Sequence, residues 1–144
     1  MKQETIEKID KLRQEIHELS VQEYEKQQQI DLLVIQDAGD YTGKFVKFYD
    51  GNTGEYVFKK VENQKQATSG KFIVLYGPAV VMDTDPLTKE EEIEDFRYFH
   101  EHSLVVNEAV FRGTSNSVLE EINQADFSHA LKAAFKVAKD SMFA

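Results

Sequence analysis

The sequence has no cysteine, only two prolines and no long apolar run. A chain without cysteine forms no disulfide, thiolate zinc site or iron–sulfur cluster, and it has no cysteine nucleophile. Its longest apolar runs, residues 32–35 and 72–76, fall far short of the roughly 18 residues that a membrane-spanning helix needs. The charged N-terminus also lacks the apolar segment of a signal peptide. We therefore expect a cytoplasmic protein with no membrane partner.

The 144 residues suit one domain, or a small domain with a helical extension, and are too few for a TIM barrel or a complete Rossmann enzyme. All seven glycines and both prolines lie between Gly39 and Gly113. Because both residue types mark turns and disfavour helix interiors, this distribution predicts helical ends around a turn-rich middle. We assign residues 1–36 to an N-terminal helix and residues 37–144 to a small barrel-like α+β domain that ends in a helix.

The net charge of −9 is unevenly distributed along the chain. Residues 1–36 carry −3, residues 37–82 carry +1 and residues 83–144 carry −7. The total disfavours nucleic acid as a partner, whereas the near-neutral middle leaves one such surface open. Much of the acidity falls in one patch, which predicts either a docking surface for a basic protein or a solvated helix start. Its residues are Asp83, Asp85, Glu90, Glu91, Glu92, Glu94 and Asp95.

An apolar stripe with alternating spacings of three and four marks the N-terminal helix, at Ile9, Leu12, Ile16 and Leu19. This is the pattern of a coiled-coil seam, and it is interrupted where Glu23 and Lys26 follow. Two good heptads do not hold an isolated coiled coil in water. The helix must therefore pack on its own domain or pair with the same helix of another copy, and we favour self-association.

The remaining patterns predict a small antiparallel sheet followed by a C-terminal helix. Alternation over residues 44–49 and 55–61 predicts a hairpin, and further strands are expected at residues 71–76, 80–82, 105–112 and 118–122. Short strands with a bent middle favour an SH3-like or OB-like barrel. The final helix, capped by Asn123, carries an apolar face that we expect to pack on the core. That face comprises Phe127, Ala130, Leu131, Ala134, Phe135, Ala138 and Met142.

Residues 86–104 fit two structures. Thr88 and Glu91 form a capping box ahead of a helical apolar face, whereas Phe96, His100 and Leu104 also fit the alternation of a strand. We favour the helix. On a strand, His100 and His102 would share one side and could bind a metal, although no third ligand follows at the spacing of a metal motif. The possible carboxylate ligands are Glu94, Asp95 and Glu108. The sequence has no P-loop, G-x-S-x-G or H-E-x-x-H motif, so we expect no cofactor and favour a non-enzymatic protein.

The hairpin interleaves lysine with aromatic residues, an arrangement with which small barrels stack bases and hold phosphates. The alternative is that the aromatic rings fill the core while the lysines protect strand edges. The residues of this candidate nucleic-acid face are Lys44, Phe45, Lys47, Tyr49, Tyr56, Phe58 and Lys60.

Four stretches carry a resemblance to a group of known proteins. They are YTGKFVK at residues 41–47, GEYVFKKV at residues 54–61, GKFI at residues 70–73 and LEEINQADF at residues 119–127. Their order resembles small uncharacterised bacteriophage accessory proteins, in which a compact SH3-like barrel ends in a C-terminal helix. The resemblance implies a phage origin and an accessory role, such as binding and disabling a host factor, and it brings no catalytic residues.

The leading function is therefore a non-enzymatic, phage-encoded binding protein that acts by contact with itself and with a host or phage protein. The alternative is a single-stranded nucleic-acid-binding module that uses the lysine–aromatic hairpin. A metal-dependent enzyme centred on His100 and His102 is the third hypothesis.

Overall fold

The computed structural model describes residues 1–67 and 71–143, so Gly70 of the GKFI stretch lies outside the described residues. A long N-terminal helix, a curled half-barrel of antiparallel strands and a C-terminal helix make up the described chain, which confirms the predicted α+β class. The elements in chain order are α1 (Gln3–Ala38), β1 (Phe45–Tyr49), β2 (Tyr56–Lys60), β3 (Asn63–Gln66), β4 (Phe72–Met82), α2 (Pro86–Lys89), a 3-10 turn (Glu90–Glu92), β5 (Phe96–Asn107), α3 (Glu108–Arg112), β6 (Val118–Ile122) and α4 (Gln124–Phe143).

The long strand β4 organises the sheet. It pairs with β5 along one edge, and β2 and β3 share its other edge. The strands predicted at residues 71–76 and 80–82 are parts of this one strand, which continues through Gly77 and Pro78 with a register shift against β5. Gly77 has a φ of 150°, and a Cβ at this position would lie 2.0 Å from the carbonyl oxygen of Lys60. Only glycine fits this close approach. At the register shift, two residues of β5, His100 and Glu101, lie opposite Pro78 alone, which makes a β-bulge in β5.

The predicted hairpin is present, with Phe45 opposite Lys60 and Tyr49 opposite Tyr56. The expected strand at residues 118–122 is β6, which pairs with the free edge of β1. The strand β3 was not predicted, because its sequence NQKQ is polar throughout and shows no alternation.

The expectation of a helix over residues 86–104 is wrong for most of the segment. The short α2 is capped by Asp85 rather than Thr88, since the Asp85 carboxylate accepts a hydrogen bond from the Leu87 amide at 3.0 Å. Residues 96–107 instead pair with β4, which places Leu104 and Val106 in the core. The strand predicted at residues 105–112 ends at Asn107, whose side chain caps α3.

The two faces of the sheet each carry an apolar core. One face packs against α3 and the end of α1 through residues that include Ile35, Val46 and Leu75. The other is covered by α4, where Phe127 and neighbouring alanines meet Phe58. Asn123 caps α4 as predicted, because its side chain accepts a hydrogen bond from the Asp126 amide at 2.8 Å. The predicted apolar face is wrong at two positions, since Phe135 and Met142 are exposed.

Candidate functional site

Most of α1 is a solvent-exposed helix attached to the body at one end. We call residues 39–143, as far as they are described, the body. From Gln3 to Gln27 every residue except the partly buried Ile9 is exposed. The buried residues of α1 are Asp31 and Ile35, and α3 is its main packing partner. At a rise of 1.5 Å per residue, the exposed part is about 35 Å long.

The exposed part carries the predicted association stripe. Leu12 is 58% exposed, Ile16 63% and Leu19 64%. The first of the two alternatives for this helix, packing on its own domain, therefore does not apply to these residues. The stripe lies on the surface of a helix and faces solvent, which leaves a large apolar area uncovered.

The junction between α1 and the body is held by specific contacts. The side chain of Gln64 in β3 accepts a hydrogen bond from the Tyr41 amide at 2.8 Å and donates one to the Gly39 carbonyl at 3.0 Å. Gly39 has a φ of 84° and ends the helix. Buried Ile35 packs in the core, so the direction in which α1 leaves the body is defined by packing and hydrogen bonds.

The acidic patch is a surface feature except at Asp85. Asp85 is buried, forms an ion pair with Lys47 and caps α2, so its assignment to a docking surface is corrected. Glu90 is partly buried and lies 3.4 Å from the Nε2 atom of His129. The exposed members of the patch are Asp83, Glu91, Glu92, Glu94 and Asp95.

The candidate nucleic-acid residues do not form one exposed face. Phe58 is fully buried, and the ring of Phe45 packs on Phe127 with ring centroids 5.1 Å apart. These aromatic side chains therefore belong to the core beneath α4, as the alternative interpretation holds. Lys44 and Lys60 remain exposed, and Lys44 lies 3.5 Å from Glu121.

Lys47, Tyr49 and Tyr56 lie together at a small cavity of about 240 Å³. The two tyrosine rings are 5.0 Å apart, and the Lys47 ammonium lies 5.6 Å from the Tyr56 ring. The Asp85 carboxylate already neutralises Lys47. This cavity therefore offers no uncompensated positive charge to a phosphate.

A buried lysine that sequence reasoning missed lies beside the bulge. The Nζ atom of Lys59 donates hydrogen bonds to the carbonyls of Gly77 at 2.7 Å and His102 at 2.6 Å, and it lies 3.0 Å from His102 Nδ1. Burial lowers the pKa of Lys59 to about 8. Burial, followed by the charges of Lys59 and Arg97, lowers the pKa of His102 to about 4. Because Lys59 is inaccessible and bound to these acceptors, its contacts stabilise the bulge.

The alternation of β2 in the sequence does indicate that Lys59 is buried. Lys59 lies between Val57 and Val61 in that alternation, and both valines belong to the core that includes Ile35.

The two histidines of the metal hypothesis do lie on a strand, yet their surroundings differ. His100 is exposed, whereas partly buried His102 packs against Phe99 and faces the Lys59 ammonium. Within residues 1–67 and 71–143, no group of three or more histidine, aspartate or glutamate side chains is arranged to hold a metal ion.

No helix in the described part of the chain is both long enough and apolar enough to cross a membrane. No protein-family model, curated protein or solved structure matches the chain. The resemblance to phage accessory proteins therefore rests on the four sequence stretches alone.

Proposed function

We propose that this protein is a non-enzymatic binding protein that acts by protein–protein contact, and that α1 joins it to a second copy of itself. The observation that carries the proposal is the exposure of Leu12, Ile16 and Leu19 on one stripe of a long helix. Covering such side chains contributes about 1.5–3 kcal/mol for each residue that becomes fully buried. Pairing with the same helix of another copy covers the stripe on both chains at once.

The state of the body's lysines also supports a non-enzymatic role. Lys47 and Lys59 lie among aromatic or titratable side chains, and such surroundings can activate a lysine amine as a nucleophile. Lys47 is paired with Asp85, and Lys59 is buried against two carbonyl oxygens. Both amines therefore have structural partners.

The experiment measures molar mass by light scattering over a range of protein concentrations. We expect the wild-type chain of 16.6 kDa to show twice that mass and Ile16→Asp to show the single-chain mass. Val21→Asp is the matched control, because Val21 is an exposed apolar residue of α1 outside the stripe. A wild type with the single-chain mass at every concentration, or an Ile16→Asp variant that associates like the wild type, would contradict the proposal.

A further inference from the structure

The exposed stripe of α1 continues beyond Leu19. At the same alternating spacing it passes through Glu23 and Lys26 and becomes apolar again at Ile30 and Leu33. Ile30 is 45% exposed and Leu33 is 64% exposed, because the body packs on the side of the helix that contains Ile35. We call this whole line of residues the seam: Ile9, Leu12, Ile16, Leu19, Glu23, Lys26, Ile30 and Leu33.

The part of the seam from Ile16 to Leu33 complements itself when two copies run in opposite directions. With a two-fold axis that crosses between Tyr24 and Glu25, Glu23 lies opposite the partner's Lys26. The same alignment places Leu19 opposite the partner's Ile30, and Ile16 opposite the partner's Leu33. Because a two-fold interface is self-complementary, each of these pairs occurs twice. The two charged pairs are thus central, with apolar pairs on both sides.

A parallel arrangement in register lacks this complementarity. It places Glu23 opposite the partner's Glu23, and Lys26 opposite the partner's Lys26. It also brings Lys8 and the partner's Arg13 together at the edge of the seam, where parallel coiled coils place interhelical charge pairs. Like charges in such contacts oppose association, and charged or polar residues within a seam select register and orientation.

We infer that α1 forms an antiparallel helix pair with α1 of a second copy, centred between Tyr24 and Glu25. This inference rests on the proposed self-association and adds the direction and register of the two helices. The bodies lie at opposite ends of the pair, with the two Ile35 residues about 30 Å apart along its axis.

A charge reversal at the centre of the seam tests the pairing. We expect Glu23→Lys to raise the dissociation constant of the dimer about tenfold or more, since both central pairs then become Lys–Lys contacts. The double variant Glu23→Lys/Lys26→Glu restores the opposite charges and the wild-type constant. Glu25→Lys is the control, because it makes the same charge change at an exposed position outside the seam.

In a parallel pair, Glu23→Lys would replace a contact between two glutamates with a contact between two lysines. The dissociation constant would then stay unchanged. That result, or a double variant no better than the single one, would overturn the inference.

A distance measurement tests the direction independently. The chain lacks cysteine, so Lys11→Cys carries a single spin label. The antiparallel register predicts about 40 Å between the two labels, from the helical rise. A parallel pair would place them within about 20 Å, given the spacing of packed helices. A dimer with the short distance would overturn the inference and leave the proposed function standing, whereas a single-chain mass would contradict the proposed function itself.

Discussion

The body and the exposed part of α1 differ in the burial of their apolar side chains. In the body, Phe58 is fully buried between β2 and α4, and the sheet has an apolar core on each face. On α1, Leu19 is 64% exposed although its spacing is as regular as that of any core element. Both regions bear apolar faces of the kind that drive folding. The difference indicates that the buried apolar residues of the body stabilise its own fold, while the exposed stripe of α1 contributes nothing to that fold.

The largest expected effect separates the two regions directly. Phe58→Ala should lower the free energy of unfolding of the body by about 3–5 kcal/mol, because it leaves a cavity beneath α4. Leu19→Ala should leave the body's stability unchanged and weaken only the association. Amide hydrogen exchange in β4, measured at concentrations where the chains are apart, compares the stability of the body in the two variants. Equal losses of protection in β4 would contradict the division between body and α1.

The buried lysine allows a second test within the body. Lys59→Met should lower the free energy of unfolding by about 2–4 kcal/mol, since the carbonyls of Gly77 and His102 lose their donor. Lys60→Met, at an exposed residue of the same strand, should change it by less than about 0.5 kcal/mol. Urea unfolding followed by tyrosine fluorescence measures both. Equal stability of the two variants would show that the ammonium does not support the bulge.

The smallest effect concerns pH. The folded-state pKa of His102 is about 4, against 6.5 for the ordinary group, so the unfolded chain binds more protons between these values. The stability contributed by neutral His102 is therefore complete above pH 6.5 and is lost as the pH falls towards 4. We expect this loss to be about 1–2 kcal/mol, because the side chain is partly exposed.

His102→Gln should remove the loss of stability between pH 6.5 and pH 4. His100→Gln is the control and should retain that loss, because His100 is exposed. Unfolding curves at several pH values between 4 and 7 provide the measurement. Parallel pH profiles for the two variants would contradict the assignment to His102.

Local patterns predicted several elements in which one periodicity had no competitor, although the strand expected at residues 105–112 gives way to α3 after Asn107. The hairpin of β1 and β2 followed from its alternation, and the cap of α4 followed from Asn123. At Phe96, His100 and Leu104 both periodicities fitted, and the choice depended on β4, a strand distant in sequence that offers a pairing edge. The polar strand β3 shows no pattern because its formation depends on pairing with β4.

Some features of the candidate site follow from spacing along the chain, and others depend on folding. The spacing of Ile9, Leu12, Ile16 and Leu19 predicts an apolar stripe, and its continuation at Ile30 and Leu33 is hidden in the sequence because Glu23 and Lys26 interrupt the pattern. The alternation of the hairpin does not show that Phe58 is buried, because its burial depends on α4, which covers that face. Asp85 belonged to an acidic run in the sequence, and only folding brings Lys47 to it.

The sequence by itself determined which residues share a face: the stripe of α1, the alternation of the hairpin and the apolar side of α4. It also excluded all cysteine chemistry. The tertiary structure decided what each face meets. Phe127 of α4 meets the sheet, whereas Phe135 of the same predicted face and Leu19 of α1 meet solvent. The physical reason is that periodicity depends on the local geometry of helix or strand, while burial depends on distant segments that arrive to cover the face.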